Sequence, residues 1–175
     1  MKIRIWDPVV RIFHWSTAGI FFINYWLVDS GPLHRWLGYG VAGLLMTRTV
    51  WGVIGSPYAR FRSFFPTPTR IIKYLHGLRG GEHPGYPGHN PVGAMMIFTL
   101  LVLLLLLCLS GWMMGWDMFW GVDWVEDTHE TVATLLHILV GIHVAAIFLT
   151  DFFYHQGLFR SMITGFKEVY QPTEH

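Results

Sequence analysis

The chain is short of charge. Of its 175 residues only 13% are Asp, Glu, Lys or Arg, while 53% are hydrophobic. A soluble domain of this size carries about a quarter charged residues. The charges that exist are clustered and leave long uncharged runs, which argues for a membrane protein before any motif is read. The net charge of +1 gives no bulk attraction to nucleic acid, and no nucleic-acid partner is expected. A single cysteine, Cys108, excludes a disulfide within the chain and a thiolate metal cluster. No Cys-x-x-Cys-His occurs, which excludes covalent c-type haem attachment. No acidic residue stands mid-way along an apolar run. No small-residue cleavage site follows the first such run, so no cleavable signal peptide is expected.

What is abundant is apolar length. A spanning helix needs roughly 20 residues, and four stretches supply it, at about 9–28, 33–54, 91–114 and 128–153. Backbone groups in lipid must be paired internally, so these are helices. The expected fold is all-α, a single four-helix transmembrane domain over residues 1–175. Asp29-Ser30-Gly31-Pro32 reads as a tight turn between the first two spans. Asn90 stands as a cap before Pro91 at the first helical position. Trp and Tyr gather near span ends, as interfacial belts do.

Basic residues set the orientation. Lys2, Arg4 and Arg11 accompany the start of the first span. Arg60, Arg62, Arg70, Lys73 and Arg79 lie between the second and third, and Arg160 and Lys167 follow the fourth. The opposite side has Asp29, Asp117, Asp123, Glu126 and Asp127 against Arg35 alone. The positive-inside rule puts both termini and the long loop in the cytoplasm. Within that loop Thr67-Pro68 opens an amphipathic pattern with Ile71, Leu75 and Leu78 on one face, and Gly80-Gly81 ends it. A helix lying in the cytoplasmic interface is expected.

Ten histidines are the unusual feature, because histidine is costly in lipid. His129 and His143 are 14 residues apart on the fourth span, within about 40° of one face and about 21 Å apart along the axis. One therefore lies near each membrane surface. His14 is in the cytoplasmic half of the first span and matches the level of His143. His34 begins the second span at the outer side and matches His129. Two histidines from different helices at one depth are what a six-coordinate haem requires, and bundle cores host such sites. The bland alternative for any one of them is a lone ring bonded to a carbonyl; four at two matched depths argue against it. His137 lies about 80° off the face of His129 and is expected to make a hydrogen bond across helices. His76, His83, His89, His155 and His175 read as solvated or interfacial. Arg48 shares the face of His34 about 21 Å further along, at the level of the His14–His143 pair. It either pairs with a haem propionate or snorkels to headgroups.

These residues resemble a known family. Arg11-Ile12-Phe13-His14-Trp15 after Trp6-Asp7-Pro8 is similar to the start of prokaryotic cytochrome b561-type proteins, which include the b-type cytochrome subunits of membrane nickel–iron hydrogenases. His34-Arg35-Trp36-Leu37-Gly38-Tyr39 with Arg48 and Trp51-Gly52 resembles their second helix. Gly88-His89-Asn90-Pro91 with Gly93-Ala94 resembles the start of their third. The stretches 126–130 and 141–145 resemble their fourth, and 162–165 their tail. The resemblance implies two b haems with His14, His34, His129 and His143 as axial ligands. It also implies exchange with the quinone pool (ubiquinone or menaquinone), a periplasmic or membrane redox partner, and a place in the lipid of the bacterial inner membrane.

The resulting expectation is a dihaem electron carrier with no catalytic residue of its own. Within redox chemistry the alternative is a superoxide oxidase that delivers electrons to quinone. In another class it is a histidine-lined metal or proton transporter, although such proteins usually place carboxylates within their spans. His129-Glu130 starts like a His-Glu-x-x-His zinc motif, but the fifth position is Ala133, so that motif fails.

Overall fold

The computed structural model describes residues 2–80 and 88–168; Gly81, His83 and His175 lie outside them. A short strand β1 (Lys2–Arg4) leads into α1 (Pro8–Trp26) and α2 (Gly31–Ile54). Two short helices follow, α3 (Phe61–Phe64) and α4 (Pro68–Arg79), and then α5 (Pro91–Met113) and α6 (Asp123–Tyr154). The described chain closes with α7 (Leu158–Thr164) and β2 (Phe166–Glu168). The fold is that of an all-α membrane protein. By length and composition α2, α5 and α6 are apolar enough to cross a membrane. The 19-residue α1 is diluted by Arg11, His14 and Asn24.

Local chemistry starts these helices where they start. Asp7 caps α1 by accepting from the Val10 amide at 3.0 Å, with Pro8 at the first helical position. Asn90 caps α5 in the same way, accepting from the Gly93 amide at 2.7 Å, as expected from Asn90-Pro91. Gly31 takes a φ of +86° at the turn into α2, a conformation that suits glycine. α6 begins at Asp123, earlier than expected. Its acidic first turn, Asp123 and Glu126, reads as outer loop in the sequence, yet carboxylates at a helix N-terminus are stabilised by the helix dipole.

The four long helices pack in sequence order, α1 on α2, α2 on α5 and α5 on α6. Their shared core is a mid-bundle plug of Phe21, Val41, Leu45, Leu103, Leu104, Val132 and Leu136. A second core forms at the end where the chain starts, from Ile5, Trp6, Val10 and Ala59. There β1 and β2 pair antiparallel, Lys2 opposite Glu168 and Arg4 opposite Phe166. Trp6 donates its indole N–H to Ser161 at 2.9 Å, and Arg11 donates to the carbonyls of Met162 and Ile163. The Asp7 carboxylate also accepts from Trp51 and Ser56. One end of the bundle is thus clasped by both ends of the described chain.

Candidate haem-binding site

The apolar plug separates two polar levels, and the histidines fall on either side of it. At the end away from the clasp, His34 of α2 and His129 of α6 face each other with ring centroids 6.1 Å apart. Two imidazoles bound to opposite sides of one metal through bonds of about 2 Å stand roughly 6 Å apart by centroid. The spacing therefore suits an iron between them.

Both rings are anchored through the other nitrogen. His34 Nδ1 lies 2.8 Å from the Val28 carbonyl. A carbonyl only accepts, so that nitrogen carries the proton and Nε2 keeps its lone pair. The turn that supplies this carbonyl is tied to α2, since Asn24 donates its amide to the His34 carbonyl at 3.2 Å. His129 Nδ1 lies 3.0 Å from the Ser110 hydroxyl of α5. That hydroxyl is within reach of the Leu106 and Leu107 carbonyls, at 2.9 and 3.1 Å. With its proton on either carbonyl, the oxygen can accept from His129 Nδ1–H, the tautomer that leaves Nε2 its lone pair, and the Leu107 carbonyl is a further hydrogen-bond partner of the ring. Gly111 lets α5 approach the ring: a Cβ there would stand 3.0 Å from His129 Cε1.

At the clasped end the arrangement is looser. His14 of α1 and His143 of α6 are within electrostatic reach, with no ring-to-ring contact. His14 Nδ1 is buried and has no hydrogen-bond partner among the described residues. A cavity of about 70 Å³ borders His14, Arg48, Tyr58 and His89. It is smaller than a macrocycle, so a haem held there must part the side chains that line it, Phe13 of α1 and Leu101 of α5 among them.

Arg48 does not snorkel. It is 4% exposed, donates to the Ala59 carbonyl at 3.2 Å and lies 4.5 Å over the Phe61 ring. Its Nη1 is buried with no partner among the described residues, an unpaired donor where a carboxylate would be stabilised. The donor set fits a haem: histidine nitrogens in pairs, with an unsatisfied guanidinium beside one pair.

Two other histidines depart from expectation. Among the described residues His137 makes no hydrogen bond across helices; its Nδ1 is without a partner there, and its ring stacks on Tyr25 at 4.3 Å and 14°. An aromatic partner on α1 outcompetes a polar one because Tyr25 and Phe21 are the side chains that face it. His89, expected to be solvated or interfacial, is wedged between Trp6 at 4.7 Å and Phe64 at 4.3 Å. Burial, with Arg48, Lys167 and His143 adding repulsion, pushes its pKa down to about 3, so it is neutral at physiological pH. His76 and His155 are exposed. Among the described residues no three His, Cys, Asp or Glu side chains converge as a metal cage, which leaves the pairs as the notable grouping. Sequence reading missed Ser110 and the packing of His89; for His89 the Gly-His-Asn-Pro stretch was the available signal.

No curated protein and no solved structure matches the chain. The sequence model of the family described as prokaryotic cytochrome b561 matches residues 5–165.

Proposed function

The chain belongs to the prokaryotic cytochrome b561 family, membrane b-type cytochromes of transmembrane electron transfer, and from that premise we propose that it holds two haem b groups and links the quinone pool to a redox partner. His34 and His129 would hold one haem, and His14 and His143 the other. Arg48 pairs with a propionate of the second. When bound, each haem supplies a one-electron Fe(III)/Fe(II) couple.

The observation that carries this reading is the His34–His129 pair, with both Nδ1 atoms anchored and both Nε2 atoms left for a metal. A histidine that binds a metal almost always donates its other nitrogen in this way. The residues of this chain do three things in the reading. The histidine pairs fix two centres at depths set by the 14-residue interval on α6, up to about 21 Å apart along the normal. The mid-bundle plug keeps water out of the slab between them. The acidic first turn of α6, with Trp116, Trp120 and Trp124 exposed beside it, offers a redox protein an aromatic and negatively charged landing.

The pairing of β1 with β2 brings the first and last described strands together on one side. This agrees with four crossings, α1 being the fourth, and with both ends in the cytoplasm of a bacterial inner-membrane protein. The test is an optical spectrum and haem count on the purified protein. Two haems per chain are expected, with one lost in His34→Ala and the same one lost in His129→Ala. Unchanged spectra in both variants would overturn the ligand assignment. Quinol that never reduces the haems in proteoliposomes would overturn the link to the quinone pool.

A further inference from the structure

The two histidine pairs are held in different ways, and the difference runs through Ser110. We propose that Ser110 is the positioning residue that makes the His34–His129 centre the harder of the two to reduce. The inference rests on the ligand assignment above and concerns a residue outside it.

Ser110 is buried on α5, facing α6, and its hydroxyl is committed on both sides. Its proton goes to the Leu106 and Leu107 carbonyls one turn back, and its oxygen faces His129 Nδ1 at 3.0 Å. The chain of bonds runs from His129 N–H to hydroxyl to carbonyl, and each link polarises the next. Donation from Nδ1 makes the imidazole more basic at Nε2 and fixes its tautomer. A more basic axial ligand favours the more positive, ferric state, and hydrogen bonds of this kind are a lever on potential. His34 is anchored likewise, on the Val28 carbonyl at 2.8 Å, so both ligands of this centre push the same way.

The other centre has the opposite character. His14 Nδ1 is buried without an acceptor among the described residues, so its ring gains no such push. The guanidinium of Arg48 borders the same cavity, and a positive charge there favours the reduced, less positive iron. Anchored ligands at one centre and an unanchored ligand beside a cation at the other therefore separate the two potentials.

Ser110→Ala removes the hydroxyl 3.0 Å from His129 Nδ1 and leaves the Leu107 carbonyl as the remaining acceptor for that ring, a partner with no hydroxyl to relay polarisation. Ser110→Cys keeps near-native volume but offers only a weak acceptor, which guards against a packing defect in the alanine variant. Ser110→Thr restores the hydroxyl. The measurement is a potentiometric curve of the haem absorption in the purified holoprotein, with the ferric low-spin EPR spectrum alongside. Both Ser110→Ala and Ser110→Cys are expected to keep two haems per chain, to shift the lower-potential component upward and to alter one EPR signal, leaving the higher-potential component in place. Ser110→Thr is expected to return both readouts towards wild type. Unmoved potentials in the alanine and cysteine variants, or movement of the higher-potential component instead, would overturn the proposal. His129→Ala serves as the separate control. If it still bound two haems with an unchanged EPR spectrum, the ligand assignment itself would be wrong, whatever Ser110 does.

Discussion

At the scale of single residues, contacts that cross between helices decide what the site can hold. Gly111 is one example. A methyl group there meets the His129 ring at 3.0 Å, so Gly111→Ala must displace the ring by a few tenths of an ångström or push α5 away. Haem content per chain is expected to fall towards one, while His143→Phe, acting on the other pair, should still leave the His34–His129 haem in place; pyridine haemochrome spectra with protein quantitation measure both. Asp7 is a second example. Burial pushes its carboxyl up, but hydrogen bonds from Ser56, Trp51 and the first turn of α1 outweigh this and leave it below the ordinary value of 3.8. A depressed carboxylate contributes stability that is fully present above that value and is lost as pH falls through the lower folded one. Asp7→Ala should cost about 1 kcal/mol for the cap alone at neutral pH. The gap in unfolding midpoint between variant and wild type should narrow below about pH 3.8, read by helical circular dichroism in detergent. The approach of His34 to His129 is legible in sequence because helical period and depth need only one dimension. Ser110 is not, because α5 is apolar on every side and nothing in its pattern says which face meets His129. The packing of His89 was equally hidden, since it depends on Trp6 and Phe64 arriving from distant parts of the chain.

At the scale of elements, α4 is the helix whose environment matters most for where the membrane surface lies. It has no buried residue, and Thr67 caps it by accepting from the Arg70 amide. Ile71 and Leu78 are half-buried, as expected from the pattern, but Leu75 is 45% and Ile72 56% exposed. The apolar side is therefore wider than the bundle covers. Ile72 and Leu75 are exposed beside Lys73 and Arg79, a pattern that suits a lipid surface, while Arg70 donates to the Phe65 carbonyl at 3.3 Å. A spin label at position 75 in nanodiscs should respond more strongly to a lipid-soluble relaxant than one at position 73; equal responses would place α4 in water. The long helices were legible from apolar length, with α6 the exception at its start. Its carboxylates look like loop to a hydropathy reading and like a good N-terminus to a dipole.

For the molecule as a whole, the arrangement is a bundle with one clasped end and one open end. Green fluorescent protein fused after residue 168 should fluoresce in a bacterial host, and alkaline phosphatase at the same place should be inactive. A fusion in the Asp117–Phe119 turn should give the reverse, and any other result would overturn the proposed orientation. Little of the clasp was legible in the sequence. Three-residue strands carry no periodicity, and β1 and β2 are separated by nearly the whole chain. What the sequence does show at that end, Trp6-Asp7-Pro8 and Arg11, reads as a helix start and says nothing of Ser161, Met162 or Ile163 as partners.

The pairing of Lys2–Arg4 with Phe166–Glu168 also bears on how the protein is made. β1 is the first described segment to leave the ribosome, yet its partner is synthesised only after α1, α2, α5 and α6. Until then β1, Trp6 and Arg11 have neither the Gly165 carbonyl nor the α7 carbonyls to bond. The start of α1 is thus secured last. Insertion and closure are therefore separate events in time: the helices can be threaded one by one while the end beside His14 stays open, and the final residues of the described chain shut it.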